Sequence, residues 1–462
     1  MGWNVDRWLH RVVQVYQNSK EAFMSYVAES PSAQGTKPVK WMALQITVVI
    51  LCTVMNALDG MDLLIVSYIA PAMASDWHIS LAQLGVVFSA GMTGMVLGCI
   101  VVAPFADSWG RRPIILLALV LMTLGSLGSG LTHDLTIFSA MRVLTGLGLG
   151  TLLASVGALV AEYAPPGRRS LAVGLFQAGY PIGAVLTGIA AIFAIPAFGW
   201  QATMLGAAVI TLVLLPIVWI ALPESVAFLE ARQPKDALQR SNALRARLGM
   251  QPISALPARS QSGNLPKPRD LFSAELFKGT IALWMATFLS YGVLYFLMSW
   301  IPKISVMAGL SQSDAIWAGA LTNLGGVFGD VIIGYLAIRR DIGKLIALFF
   351  FVCSGMMMLF VQHMPLAATL LTAFGMGFTL MGGFSGFYSL AALIYPARLR
   401  SSGIGWAGGF GRFGAILGPM VGGALLAANT PLSTTFGYFA VPLVISGGFA
   451  ILATYFGPKA TD

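Results

Sequence analysis

Two carboxylates lie three residues apart in one of the most apolar parts of the chain, the segment NALDGMDLLIVSYIAPAM at 56–73. The nearest lysine or arginine residues along the chain are Lys40 and Arg111. Residues three apart lie on the same face of a helix, so Asp59 and Asp62 are expected to feel each other's charge in a medium of low dielectric. Burial and a neighbouring like charge both disfavour the ionised form of a carboxyl group. The pair could therefore bind a proton and release it again.

Three further ionisable residues fall inside apolar segments: Arg142, Asp330 and Arg412. A charge at bilayer depth costs about 2.5–3.5 kcal/mol, so each is a candidate for function. The alternative is that they form paired struts between helices. A rise of about 1.5 Å per residue gives Asp62 and Arg142 matching depths, and it does the same for Asp330 and Arg412. Both pairs are possible, which leaves Asp59 as the better candidate for the carried proton.

A carboxylate substrate would need a cation, and a guanidinium can hold it through two parallel hydrogen bonds. Arg412 is the first choice because its neighbours in GGFGRFGAILGPMVGG are glycines, which open space at the helix surface. Arg142 is the second choice. If Asp62 holds Arg142, protonation of Asp62 would free the arginine and couple the proton to the substrate.

Aromatic and amide side chains in other apolar segments could form the walls of a binding pocket, which is usually apolar with a few polar groups. For each aromatic residue the alternative is ordinary helix packing. The candidates, besides the two arginines, are Gln177, Tyr180, Tyr291, Asn323, Phe387 and Tyr388.

The composition predicts a polytopic membrane protein. The chain has 462 residues, of which 57% are hydrophobic and 10% charged, whereas a soluble protein carries about 25% charged residues. Apolar runs of about 20 continuous residues favour helices over barrel strands. Twelve spans are expected, at 42–71, 81–105, 113–131, 135–161, 170–195, 200–222, 279–304, 314–338, 344–362, 366–393, 403–427 and 434–456.

Basic residues concentrate in alternate loops, for example Arg111/Arg112, Arg168/Arg169 and Arg398/Arg400. The positive-inside rule then places both termini and the central linker in the cytoplasm. The net charge of +9 is therefore a topology signal, and nucleic acid is not an expected partner. Cys52, Cys99 and Cys353 fall inside apolar runs and are interpreted as small hydrophobic residues, without a disulfide or a metal site.

The two halves of the chain repeat at an offset of 231 residues. Pro71 falls on Pro302, Gly94 on Gly325, and Gly98, Pro165, Arg169 and Gly174 also find matching residues. One offset that serves separate helices predicts an all-α membrane protein of two six-helix bundles related by a parallel tandem repeat. The expected division is 1–40 as a cytoplasmic segment, 41–222 and 279–457 as the bundles, 223–278 as a cytoplasmic linker, and 458–462 as a tail.

Several motifs resemble those of the major facilitator superfamily. PFADSWGRRP at 104–113 is similar to the loop pattern G-x-x-x-D-R-x-G-R-R, with Ala103 and Ser108 departing from it. RVLTGLGLG at 142–150 and LPESVAFL at 222–229 resemble two further motifs of the superfamily. Within it, Asp59, Gly60 and Asp62 are similar to the D-G-x-D motif of the aromatic acid:proton symporter family.

This resemblance implies proton-driven uptake of a benzoate-, hydroxybenzoate- or phenylpropanoid-like acid by alternating access. It also suggests a gate at the cytoplasmic helix ends that holds the inner side shut while the outer side is open; the alternative for the arginines is simple topology anchoring. The gating candidates are Asp107, Arg111, Arg112, Glu162, Arg169, Asp330 and Arg400.

The competing interpretations are a related carrier of another small organic acid, a sugar or a drug, and a membrane receptor or structural protein. A receptor is disfavoured because a sensor usually appends a sizeable soluble domain. An enzyme is disfavoured because no nucleophile–base pair, metal cluster or phosphate loop is found in the sequence. We expect no cofactor beyond the proton gradient, a monomer in a lipid bilayer, and location in a bacterial inner membrane.

Overall fold

The computed structural model describes residues 41–165, 168–257, 268–337, 339–362 and 364–456. The predicted terminal segments 1–40 and 458–462 lie outside these residues. So do the side chains of a few others, among them Asp107 and Arg400.

The described part of the chain is helical throughout and contains no strand. The α-helices of seven or more residues are α1 Ala43–Asp76, α2 Leu81–Leu97, α3 Arg111–Leu131, α4 Leu135–Tyr163, α5 Arg169–Ala221, α6 Val226–Arg232, α7 Ala237–Arg247, α8 Phe277–Met307, α9 Gln312–Leu336, α10 Ile342–Phe360, α11 Leu366–Ile394, α12 Ala397–Ala427 and α13 Leu432–Phe456. All of these except the linker helices α6 and α7 are apolar enough to cross a membrane, and α2 is long enough when its continuation to Phe105 is included.

The helix α5 crosses twice, because its path reverses at Gly199. This residue has φ 81° and ψ 166°, a backbone conformation that glycine adopts readily. Before it, α5 runs alongside α1, with Gly183 against the Ala57 carbonyl. After it, α5 returns along α3, with Leu205 against Gly130. The twelve predicted spans are therefore confirmed, with their ends shifted by a few residues.

Side-chain caps fix where several helices begin. Ser80 accepts a hydrogen bond from the Gln83 N–H at the start of α2, and Asp134 accepts one from the Ile137 N–H at the start of α4. Asp341 does the same for α10. Each cap satisfies a backbone donor that a helix terminus would otherwise leave without a partner.

Glycines bring α1 and α5 into direct backbone contact. A Cβ added at Gly60 would lie 1.9 Å from the carbonyl oxygen of Tyr180, which is inside contact distance. The glycine of the D-G-x-D motif therefore serves the approach of a neighbouring helix.

Gly60→Ala is accordingly expected to force α1 and α5 apart and to cost about 1–3 kcal/mol of stability, the usual range for overpacking. A lower midpoint of thermal unfolding in detergent would report the loss. The matched control is Gly174→Ala on α5, where an added Cβ meets nothing within 4 Å. Equal midpoints for the two variants would contradict the prediction.

We call the end of the molecule with the loops that carry Arg111, Arg168 and Arg339 the basic end. The two bundles meet at the other end. At the opposite end, Ser67 Oγ lies 2.8 Å from the carbonyl oxygen of Met298, and Ser89 Oγ donates to the Ile416 carbonyl at 2.7 Å. These contacts close that end of the molecule.

Candidate functional site

A cavity of about 710 Å³ lies between the two bundles in their basic-end half. Its walls come from the segment that follows α2, from Ala154 of α4, and from α8, α11 and α12. Four of the predicted pocket residues line it: Tyr291, Phe387, Tyr388 and Arg412. Further aromatic walls come from Trp284, Phe384, Trp406, Phe410 and Phe413. The cavity is therefore flat-walled and apolar, with one guanidinium in it.

Ring contacts fix the shape of these walls. The rings of Tyr291 and Phe384 meet edge to face at 4.7 Å, and Trp284 stacks on Phe410 at 5.2 Å. Both are favourable arrangements for aromatic pairs. A flat aromatic ligand would find the same edge and face contacts here.

Arg412 enters the cavity from α12. Its Nη1 donates to Cys99 Sγ, and Tyr291 lies with it on the cavity wall. The glycines around Arg412 leave open space in part, as expected. Gly408 and Gly409 line the cavity, and a Cβ added at Gly409 would meet nothing within 4 Å. At Gly411 the ring of Tyr291 fills the space, because a Cβ there would lie 2.5 Å from Tyr291 Cδ2.

Cys99 has a role that the sequence did not indicate. It lies in a π-helical turn, Gly98–Val102, that continues α2, and such turns are frequent at functional sites. Its Sγ lies on the cavity wall and donates to the Gly150 carbonyl at 3.1 Å. The sequence around Cys99 shows only an apolar run, and a π-helical turn cannot be inferred from hydropathy, so this role of Cys99 was not predicted.

Asp62 and Arg142 form the predicted pair. Arg142 Nη2 lies 2.6 Å from Asp62 Oδ2, and Nη1 lies 3.1 Å from Asp62 Oδ1. The exposed fractions of the two side chains are 1% and 3%. Ser126 Oγ also donates to Asp62 Oδ1 at 3.2 Å. This pair is fully buried and hydrogen-bonded, and Arg142 does not line the cavity.

Asp59 differs from its neighbour. It is also buried, yet its carboxyl group makes no hydrogen bond or ion pair with any residue that the structure describes. Its electrostatic neighbours are Arg412 and Asp62, and Tyr180 and Tyr295 feel its charge in turn. Asp59 is therefore within electrostatic range of the arginine of the cavity but does not itself line the cavity.

Besides Arg142, three predicted pocket residues do not line the cavity. Tyr180 lies beside Asp59. Gln177 has an exposed side chain on α5. Asn323 is buried in α9, where Nδ2 donates to the Gly319 carbonyl at 3.0 Å. Its Oδ1 has no hydrogen-bond partner among the described residues.

The predicted pair of Asp330 and Arg412 is wrong. Asp330 accepts a hydrogen bond from Ser385 Oγ at 2.5 Å, while Arg412 turns toward Cys99 and Tyr291. Matching depth did not suffice, because it gives no information on the direction in which each side chain leaves its helix.

Four of the described gating candidates contact their own bundle, namely Arg111, Arg112, Glu162 and Asp330. Arg111 Nη1 lies 2.7 Å from Glu162 Oε2, Arg112 donates to the Trp219 carbonyl, and Arg169 is exposed. The side chains of Asp107 and Arg400 lie outside the described residues, so their gating role stays a prediction.

Glu224 joins this network and was not predicted to be a site residue. Its Oε1 accepts from the backbone N–H groups of Arg111 at 2.9 Å, Arg112 at 3.3 Å and Ser225 at 2.8 Å. It therefore caps the start of α3. The P-E-S signature at 223–225 was the signal that could have identified it.

Two six-helix bundles around a central cavity define a multi-pass membrane carrier. The family model of the Major Facilitator Superfamily matches residues 52–385 and 283–462. The chain belongs to this superfamily, whose members are transporters and not enzymes.

Curated relatives are similar over nearly the whole chain. The gallate transporter of Pseudomonas putida is 33% identical over 416 residues, which cover 89% of this chain and 92% of the relative. The 4-hydroxybenzoate transporter PcaK of Pseudomonas aeruginosa is 33% identical and covers 91% and 94%. The 3-(3-hydroxy-phenyl)propionate transporter of Escherichia coli is 30% identical and covers 87% and 92%.

Solved structures share the fold. A bacterial homolog of the human lysosomal transporter Spinster, inward-facing and occupied, has a TM-score of 0.71 at 16% identity, covering 92% of this chain and 100% of that one. The xylose transporter XylE of E. coli, inward open, has a TM-score of 0.66 at 14% identity and covers 88% and 95%. At this identity the likeness concerns the fold alone.

Proposed function

We propose that this protein is a symporter that imports a small aromatic carboxylate together with a proton. The observation that carries the proposal is the placement of Arg412 as the guanidinium of an aromatic-walled cavity of about 710 Å³. A guanidinium can bind a carboxylate through two charge-assisted hydrogen bonds, and the rings of Tyr291 and Phe384 can contact a flat ring. The names of the curated relatives agree with this substrate class.

Arg412 also links the binding of the proton to the binding of the substrate. An ionised Asp59 attracts the guanidinium, whereas a protonated Asp59 leaves it free for the substrate carboxylate. Proton and substrate would then bind together, which is the requirement for symport. This link replaces the expected one through Asp62 and Arg142, because Arg142 does not line the cavity in which the substrate would bind.

The orientation follows from the basic loops. The positive-inside rule assigns the basic end to the cytoplasm, which gives cytoplasmic termini and, in a bacterium, a place in the inner membrane. The cavity lies at this end and the other end is closed, so the molecule is in an inward-facing state. We propose that it acts as a monomer and needs no cofactor, since the proton gradient supplies the energy.

The test is uptake into proteoliposomes with an imposed proton gradient. Labelled 4-hydroxybenzoate is expected to accumulate inside, and aromatic acids are expected to compete in counterflow better than aliphatic acids, sugars or drugs of similar size. Accumulation without a proton gradient, or preference for an aliphatic acid or a sugar, would overturn the proposal.

Asp59→Asn is expected to abolish accumulation against a gradient while counterflow continues. The amide cannot exchange a proton, but it does resemble the protonated acid that leaves Arg412 free. The matched control is Asp76→Asn on the same helix. In the unmodified chain Trp200 Nε1 donates to Asp76 Oδ2 at 3.0 Å, and the amide oxygen of an asparagine can still accept this hydrogen bond. If Asp59→Asn still concentrates the substrate, the proton is carried elsewhere.

A further inference from the structure

A second pocket, of about 410 Å³, lies at the basic end outside the central cavity. It is formed where the linker helix α7 crosses the first bundle. Thr47 of α1 and Arg112 of α3 line it, together with the end of α5 and the segment Leu222–Glu224. It does not overlap the wall of the substrate cavity, so it is a separate site.

One face of α7 covers this pocket. Arg240, Ala243, Leu244 and Arg247 lie at helical spacing on that face. Leu244 packs against the hydrophobic core, which holds the helix in place. Arg240 and Arg247 are exposed at the two ends of the face, roughly 10 Å apart along the axis. An oxyanion between them is within reach of both long side chains.

The charge of these two arginines is not neutralised by a partner. In the described part of the chain neither makes an ion pair or a side-chain hydrogen bond, whereas the nearby Arg245 lies 3.1 Å from Glu230. Three arginines therefore face the pocket when Arg112 is included. Arg112 Nε is buried, and no described group accepts a hydrogen bond from it.

Glu224 is the one carboxylate in the described lining, and it offsets only part of the charge of the three arginines. Glu224 is 8% exposed, and its carboxylate accepts from three backbone N–H groups at the start of α3 and of the linker. The pocket consequently offers guanidinium donors to an anion, with planar geometry that suits phosphate.

The pocket also lies at the boundary of the membrane. Trp219 and Ile220, at the end of the second crossing of α5, are 61% and 84% exposed. Large apolar side chains with this exposure face lipid tails, and tryptophan is enriched at the interface. Ile220 itself lines the pocket, so a ligand there contacts both lipid and the arginines.

We propose that this pocket binds a phosphate oxyanion, carried by the headgroup of an anionic phospholipid. Basic pockets on the cytoplasmic side of membrane helices suit such headgroups. A bound headgroup would tie α7, and with it the start of the linker, to the first bundle. The proposal does not depend on which substrate the central cavity takes.

The test is native mass spectrometry of the full chain released from detergent, with three added probes. These are dioleoyl phosphatidylglycerol as the anionic lipid, dioleoyl phosphatidylcholine as the zwitterionic lipid, and glycerol 3-phosphate as a soluble phosphate. The variant is Arg240→Gln/Arg247→Gln. The matched control is Arg339→Gln/Arg340→Gln, which removes two exposed arginines from the same end of the second bundle.

We expect the first variant to weaken phosphatidylglycerol binding roughly 25-fold, because a basic residue next to a bound anionic headgroup is worth about fivefold and both of its arginines line the pocket. The control should bind as the unmodified chain does, and phosphatidylcholine should bind more weakly than phosphatidylglycerol to both. An unchanged thermal midpoint would show that the variant is folded, since both arginines are exposed.

Equal phosphatidylglycerol binding by the variant and the control would overturn the proposal, as would equal binding of the two lipids. If glycerol 3-phosphate binds through these arginines but phosphatidylglycerol does not bind, the ligand is a soluble phosphate, and the proposal that a phospholipid carries it is contradicted. Each result is obtained without a transport assay, so it is independent of the proposed symport.

Discussion

Arg412→Lys is expected to weaken substrate binding about 10- to 100-fold. Lysine keeps the positive charge but offers a point charge in place of the planar fork that holds a carboxylate through two hydrogen bonds. A hydrogen bond to a charged group is worth about 1.5–3 kcal/mol, which gives this range. The loss should be seen as a higher apparent KM for proton-driven uptake of labelled 4-hydroxybenzoate.

The same substitution keeps the electrostatic setting of Asp59, so proton coupling should survive. At saturating substrate the variant should still accumulate the acid, which separates it from Asp59→Asn. The matched control is Arg339→Lys, at an exposed loop position of the second bundle. Unchanged substrate affinity in Arg412→Lys and in Arg142→Lys would remove both arginines from the binding site.

Arg142→Gln is expected to lower the stability of the protein by about 3–5 kcal/mol, because it leaves the Asp62 carboxylate buried without a counter-ion. Both partners of this pair are almost fully buried, at 1% and 3% exposure. The measurement is the fraction of monodisperse protein that survives heating in detergent, compared with the unmodified chain.

The double variant Asp62→Asn/Arg142→Gln is the informative comparison. It removes both buried charges while retaining polar groups of similar size, so much of the stability should return. Asp59→Asn should be less destabilising than Arg142→Gln, since Asp59 makes no bond in the described structure. If Arg142→Gln were as stable as the unmodified chain, the pair would not tie α1 to α4.

The sequence predicted the helices well because a span leaves a strong signal. About 20 continuous apolar residues identify a crossing, and even the two crossings joined at Gly199 were separated at nearly the right residue. The repeat offset then paired the halves. Both signals lie along the chain and need no knowledge of which helices are neighbours.

The site was predicted less completely because the depth of a residue in the membrane does not give the direction in which its side chain leaves the helix. Asp62 and Arg142 matched in depth and also face each other, whereas Asp330 and Arg412 matched in depth and do not. The contact of Cys99 with Arg412 depends on a π-helical turn, and the role of Glu224 depends on the backbone of another helix. The first is not encoded in the local pattern of residue types, and for Glu224 the P-E-S signature marks the position but not its partners.

The contact between Ser67 and Met298 has a consequence for how the two repeats diverge. The residues are separated by 231 positions, the repeat offset itself, so each is the other's counterpart and they meet on the pseudo-two-fold axis. In a homodimer such a contact is isologous, and any change affects it twice. Here the two halves belong to one chain, and the hydroxyl of Ser67 alone forms the hydrogen bond at this contact. Position 298 contributes only its backbone carbonyl, so a methionine side chain there is compatible with the closed end.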